Sequence, residues 1–323
     1  MPTRRAILAS ASGAALAAAL GRFTEAQEKN VTEQPWSLDG LGGTYTAPRE
    51  QTRGPAVLII AGSGPTDRDG NNPAGIRADT YRMLAHDLAA KSIRSLRYDK
   101  RGIGASQAKM TREEDLRFDH YVEDAATAAR NLAARADVSG VVLAGHSEGG
   151  LVAIRAASRA PVKGLILLAS LGRPMSAPLR EQLLAVNIPA TARADALAIL
   201  DRLIAGERVD DVPAPLAALF RPSVQPYLAS VLPLDPADEL GKLKLPVLLV
   251  QPERDLQMSE ADFSALAGAR ADAVLLRLPE ANHILKQVAA ERAANLASYA
   301  NPYLPLDPVL VPKLVEFVRS VAA

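Results

Sequence analysis

A chain of 323 residues with 48% hydrophobic positions has ample apolar surface for a core and does not read as disordered. Its 37 Lys and Arg nearly balance its 36 Asp and Glu, and aromatics make up only 4%, so there is no electrostatic or base-stacking case for a nucleic-acid partner. It has no cysteine, which excludes disulfides, thiolate catalysis and Cys-ligated metal.

Arg4 and Arg5 precede an alanine-rich apolar run from Ala6 to Leu20, followed by mostly polar residues to Asn30. This is the layout of a bacterial export signal, here assigned to residues 1–27, with small-residue cleavage sites near Ala19 or Ala26. The stretch Thr3-Arg4-Arg5-Ala6-Ile7-Leu8 resembles a twin-arginine signal, so a periplasmic or secreted protein exported already folded is expected. A spanning helix needs roughly 20 apolar residues, and this run is too short and too weakly apolar for one. No stable membrane span is expected once the signal is removed.

Residues 28–323 read as one domain. Trp36-Ser37-Leu38 and Gly43-Thr44-Tyr45-Thr46 flank an Asp39-Gly40 turn and predict an opening hairpin. Strands and helices then alternate. Residues 56–61 (AVLIIA) are a strand; Tyr81, Leu84, Ala85 and Leu88 mark one helix face; residues 92–98 are a strand and 121–134 a helix. Strand 141–144, helix 151–160 and strand 164–169 follow. Continuous apolar runs separated by amphipathic helices predict an α/β fold with a mostly parallel, doubly wound sheet. From 171 to 240 the rhythm breaks into helical stretches with a proline-rich segment, which predicts a helical cap inserted between core strands. Its apolar stripe, including Leu197, Leu200 and Leu203, is expected in part to roof a pocket. The βαβ rhythm resumes with strand 246–251, helix 260–267, strand 273–278 and a closing helix at 312–321.

The strongest chemical signal is Gly145-His146-Ser147-Glu148-Gly149-Gly150, directly after a strand and directly before a helix. A serine on so sharp a turn needs small neighbours because the backbone doubles back, and the helix N-terminus beneath it favours developing negative charge. A serine hydroxyl needs a base. Of the four histidines, His86 sits in a helical pattern, His120 at a helix start and His146 within the turn, whereas His283 follows the last core strand. That leaves His283 as the base in the order Ser, acid, His. The orienting acid is expected after strand 246–251: Asp255 is placed to reach His283, and Glu253 reads as a solvated turn residue. Two backbone N–H groups should form an oxyanion hole. One is that of Glu148; the other belongs to the glycine-rich loop 61–71, with Ser63 as donor and Gly64 as its alternative. In the segment Asp99-Lys100-Arg101-Gly102-Ile103-Gly104, Asp99 and Arg101 are expected to pair locally and brace the site.

Together, residues 61–71 (AGSGPTDRDGN), 97–106 (RYDKRGIGAS), 145–150 (GHSEGG), 246–257 (PVLLVQPERDLQ) and 281–283 (ANH) resemble the α/β-hydrolase superfamily. Within it they are most similar to bacterial EstD-type esterases near the serine-aminopeptidase-like hydrolases. The resemblance runs from about Trp36 to the C-terminus. Relatives often carry Gly or His where this chain has Ala61. The resemblance implies hydrolysis of short-chain carboxylic esters through an acyl-enzyme, without metal or organic cofactor. It assigns Ser147, Asp255 and His283 to a triad, and the Ser63 and Glu148 backbones to the oxyanion hole. The expected partner is a small-molecule ester; nothing in the sequence speaks to oligomeric state. A peptidase of the aminopeptidase-like branch, with Glu148 the nearest group for a substrate amine, and a thioesterase or acyltransferase use the same triad; a non-catalytic binding protein is the remaining reading.

Overall fold

The computed structural model describes residues 30–50 and 52–323. The export signal expected at residues 1–27 therefore lies outside the described residues.

Among the described residues, eight strands form one sheet: β1 (Val31–Leu38), β2 (Leu41–Pro48), β3 (Gly54–Ile60), β4 (Arg94–Tyr98), β5 (Val138–His146), β6 (Gly164–Leu168), β7 (Val247–Pro252) and β8 (Val274–Leu278). Their order across the sheet is β1-β2-β4-β3-β5-β6-β7-β8. The first two form the expected hairpin. Its turn residues Asp39 and Gly40 both have positive φ, at 50° and 79°, the backbone twist that joins antiparallel strands most tightly. β2 runs antiparallel to β4, and from β4 to β8 all pairs are parallel.

The apolar strands are buried on both faces, and the period of two sorts their side chains into two cores. Ala56, Leu58 and Ile60 of β3, with Leu143 of β5 and Leu165 and Leu167 of β6, face one core. Val57 and Ile59, with Val142, Ala144, Ile166 and Leu168, face the other. The second core is closed by α1 (Thr80–Ala89) and the C-terminal α11 (Leu310–Ala322), which bury Leu84 and Leu88, and Leu314 and Val318. The first is closed by α2 (Phe118–Ala133), α3 (Glu148–Ala157) and α9 (Glu260–Ala269).

Between β6 and β7 lie α4 (Ser176–Ala185), α5 (Ala190–Ile204), α6 (Ala217–Phe220), α7 (Gln225–Val231) and α8 (Pro236–Gly241). Leu200, Leu203, Phe220, Val231 and Leu240 of these helices are buried and continue the first core. α7 packs on α2, and α8 on α3 and α9. One further short helix, α10 (Arg292–Ser298), precedes α11.

The strand order reverses at β3, which has β4 on one side and β5 on the other. In open α/β sheets ligands bind beyond the carboxyl ends of strands at such a point. Ser63 and Ser147 follow β3 and β5 at that point, and Asp255 and His283 follow β7 and β8 at the same end of the sheet.

Candidate active site

Ser147 directly follows β5 and caps α3 with φ 55° and ψ −123°, a left-handed conformation that a non-glycine residue adopts only when its surroundings impose it. The surroundings are glycines with no room for a side chain. A Cβ on Gly145 would stand 2.2 Å from the Gly149 carbonyl oxygen, one on Gly149 2.4 Å from that of Ile60, and one on Gly150 2.1 Å from Ser170 Oγ. Helix and strand thus meet backbone to backbone. The Ser147 N–H is tied to the Leu168 carbonyl at 2.9 Å, which fixes the turn to β6.

Asp255 lies three residues beyond β7. Its Oδ1 accepts the N–H groups of Gln257 (2.7 Å) and Met258 (3.0 Å), and Oδ2 lies 2.8 Å from His283 Nδ1. The two side chains are 1% and 5% exposed, so the pair is shielded from water. Glu253, the weighed alternative, is exposed, and its side chain faces Arg277. The loop carrying His283 is itself braced. Asn282 donates to Asn295 Oδ1 (3.0 Å) and Ser298 Oγ (2.7 Å) of α10, and Asn295 donates to the Arg254 carbonyl (2.7 Å) beside Asp255. α10, which sequence patterning did not single out, therefore joins the acid loop to the histidine loop.

His146 supplies a second brace. Its Nε2 faces the His283 carbonyl at 2.8 Å and must donate, because a carbonyl only accepts. Its Nδ1 therefore accepts from the Tyr81 hydroxyl at 2.7 Å, and the Tyr81 oxygen accepts the Gly62 N–H at 3.2 Å. Burial, helped by the neighbouring His283, pushes the His146 pKa down to about 3, so it stays neutral.

The loop after β3 is folded on its own polar groups. Asp67 Oδ1 accepts the N–H groups of Asp69 and Asn71, both at 2.9 Å, and Asn71 Oδ1 accepts those of Ala78 (2.9 Å) and Asp79 (3.1 Å). Gly62 lies against the Ser147 turn: a Cβ there would meet Ser147 Cβ at 3.1 Å. Asp99 and Arg101 do not pair with each other as expected. The chain turns between them, and Asp99 takes Arg68 (2.6 Å) of the loop while Arg101 grips both oxygens of Asp124 (2.7 Å each) on α2. Lys100, between them, donates to the carbonyls of Gly62 (2.5 Å) and Gly64 (2.7 Å).

Ser147, His283, Ser63, Gly62 and Gly64 line one pocket of about 200 Å³, together with Thr66, Asn72, Ile76, Thr80, Tyr81, Gln257, Ile284 and Tyr299. None of these belongs to the inserted helices, so the expectation that Leu197, Leu200 and Leu203 roof the pocket is corrected. The apolar face of α5 turns to the core, where burial against α7 and its neighbours stabilises it more than a wet roof would. The Glu148 carboxylate, the candidate group for a substrate amine, is buried and accepts from the Tyr227 hydroxyl of α7.

Lys100, Tyr81 and His146 are the site residues that sequence reasoning missed. The available signal was position: Lys100 lies two residues beyond β4, next to the reversal point, and His146 precedes the serine.

The family model described as serine aminopeptidase, S33, matches residues 75–209, a stretch containing Ser147 but neither Asp255 nor His283. Esterase EstD of Thermotoga maritima is 30% identical over 273 residues, covering 80% of this chain; the chain spans about 60% of that relative's length. Among solved structures, Est1E from Butyrivibrio proteoclasticus with bound ferulic acid superposes at a TM-score of 0.56 and 17% identity, covering 89% of this chain and 96% of that one. An esterase from Pyrococcus furiosus superposes at 0.54 and 12% identity, covering 91% of each chain. Likeness at such identities shows the fold alone. With its strand order, its serine turn and these matches, the chain has the α/β-hydrolase fold and is similar to the serine-aminopeptidase-like family and to Esterase EstD.

Proposed function

We propose that the protein is a serine esterase acting on short-chain carboxylic esters. The observation that carries this reading is the shared pocket: Ser147, forced into its strained turn, and His283, paired to a buried Asp255, line the same small cavity. His283 Nδ1 donates to Asp255 Oδ2, which leaves Nε2 free of its proton and able to accept that of Ser147 Oγ. The serine oxygen then adds to the ester carbonyl. The carbonyl oxygen becomes an anion held by the Ser63 and Glu148 N–H groups at the N-terminus of α3. Collapse expels the alcohol, which takes the proton from His283, and leaves an acyl-enzyme. Water, activated by the same histidine, releases the acid.

The pocket's volume of about 200 Å³ favours a compact acyl group. A further methylene contributes about 0.8 kcal/mol only where it finds room to be buried. The kcat/KM for p-nitrophenyl esters is therefore expected to peak between acetyl and hexanoyl and to fall for decanoyl and longer. A steady rise to palmitoyl, measured below the micelle-forming concentration, would contradict this. The buried, Tyr227-bound Glu148 carboxylate speaks against a free-amine site, so aminoacyl anilides should turn over far more slowly than the esters. The first 27 residues are proposed to direct export; fractionation of cells expressing the full chain, with and without an Arg4→Lys and Arg5→Lys change, tests this.

A further inference from the structure

Lys100 is a buried cation for which the triad reading has no task. Its residue is 4% exposed, and it follows β4 at the carboxyl end of the sheet. Besides the Gly62 and Gly64 carbonyls, its ammonium lies 5.2 Å from the centre of the Tyr121 ring and is attracted by the Glu148 carboxylate. Tyr227, which holds Glu148, packs its ring edge-on against Tyr121 at 5.7 Å. Burying an ammonium is costly, and it persists where paired and hydrogen-bonded. Burial draws the Lys100 pKa down to about 8, with Glu148 opposing that shift.

What Lys100 grips decides what it does. The Gly62 carbonyl and the Ser63 N–H belong to one peptide group, and a trans peptide directs the two oppositely; no cis peptide is present among the described residues. Drawing the Gly62 oxygen onto Lys100 at 2.5 Å therefore turns the Ser63 N–H to the other side. The preceding peptide is pinned as well, because the Gly62 N–H donates to the Tyr81 hydroxyl at 3.2 Å. Two successive peptide planes are thus each held by one buried side chain. The segment they orient lies against Ser147, since a Cβ on Gly62 would meet Ser147 Cβ at 3.1 Å. A cation on the carbonyl end of a peptide also polarises it and makes its N–H a stronger donor.

We propose that Lys100 is the positioning residue of the oxyanion hole. Together with Tyr81 it fixes the Gly62–Ser63 peptide so that the Ser63 N–H meets the anionic oxygen of the tetrahedral intermediate, and its charge reinforces that donor from behind. Lys100 acts through Ser63 and does not touch the substrate. The proposal rests on the serine-esterase reading above, and the test separates the two.

The test compares wild type, Lys100→Met and Tyr81→Phe in three assays: p-nitrophenyl acetate turnover, inhibition by an alkyl trifluoromethyl ketone, and labelling by a fluorophosphonate. The ketone adds the serine oxygen and becomes a hemiketal anion, so its Ki reports the hole directly, whereas KM reports ground-state binding. In Lys100→Met, kcat should fall about 10- to 100-fold, somewhat less than the loss of an oxyanion donor itself, with Ki rising by the same factor and KM within about threefold. Tyr81→Phe removes a single oxygen atom and should shift kcat and Ki the same way by about 3- to 10-fold. Melting temperature and circular dichroism establish that each variant is folded. A folded Lys100→Met with kcat and Ki within about twofold of wild type, or with KM raised and Ki unmoved, overturns the proposal. Should Lys100→Met not fold, unchanged kcat and Ki in Tyr81→Phe overturn it instead. Labelling of wild-type Ser147 with both variants unaffected overturns this proposal alone; failure to label Ser147 in wild type overturns the esterase reading with it.

Discussion

The serine turn and the inserted helices differ in what constrains them. Around Ser147 the backbones of β3, β5 and α3 approach so closely that no Cβ fits at Gly145 or Gly149. The helices α4 to α8 meet the rest of the molecule largely through apolar side chains such as Leu200, Leu203 and Phe220, with polar contacts such as Tyr227 to Glu148 beside them, and none of their residues lines the pocket. Backbone contact leaves one acceptable residue at each position and holds reacting groups in place. Side-chain packing accepts many combinations of similar volume. Mutations in the first region should therefore change chemistry, and those in the second should change stability.

Short of removing the serine itself, the largest effect is expected at the acid. In Asp255→Asn the amide oxygen should stay with the Gln257 and Met258 N–H groups, which turns its NH2 toward His283 Nδ1. Two donors cannot face each other, so the imidazole proton moves to Nε2 and the base is lost. A kcat fall of about 10³- to 10⁴-fold is expected, while Glu253→Gln stays within about twofold. Steady-state kinetics on both variants decides, and reversed effects would move the acid to Glu253.

Leu203→Ala should destabilise the fold by about 2–5 kcal/mol in urea titration, since Leu203 is nearly fully buried. It should leave the ranking of acyl lengths unchanged, and a shifted ranking would restore the inserted helices to the pocket wall. Gly149→Ala should do the opposite. The new methyl meets the Ile60 carbonyl, which costs about 1–3 kcal/mol in stability, but kcat should fall at least about tenfold because the displaced backbone is that of the nucleophile turn. The smallest effect is expected at the pocket wall. Gln257 donates to the Tyr299 hydroxyl at 3.2 Å, and Gln257→Ala should open space for a longer acyl group, improving kcat/KM for octanoyl over butyryl esters by a few fold, about 1 kcal/mol, with no loss of melting temperature.

The same contrast explains what the sequence made legible. The runs at 56–61, 141–144 and 164–169 announce buried parallel strands because β-branched and aliphatic residues face two cores at once, and the structure has β3, β5 and β6 there. The turn 145–150 is legible because its glycines are sterically obligatory. Helix ends were less so: α3 begins at Glu148 rather than near Leu151, since the strand passes into the helix with no linker. The apolar stripe of α5 showed which face is buried but not against what, and so the pocket roof was misplaced. Lys100 was invisible for a related reason. A lysine in a polar loop ordinarily points to solvent, and only its contacts across 36 and 38 residues show that it does not.

The central claim is that Ser147 is the nucleophile of a two-step acyl transfer. Wild-type protein reacted with a fluorophosphonate, digested and examined by mass spectrometry, tests it most directly. The account predicts one phosphonyl group on the peptide containing Ser147, loss of esterase activity in proportion to labelling, and no adduct in Ser147→Ala, whose turnover should be lower by about 10³-fold or more. An adduct on another residue, or near-wild-type turnover by a folded Ser147→Ala protein, would contradict it.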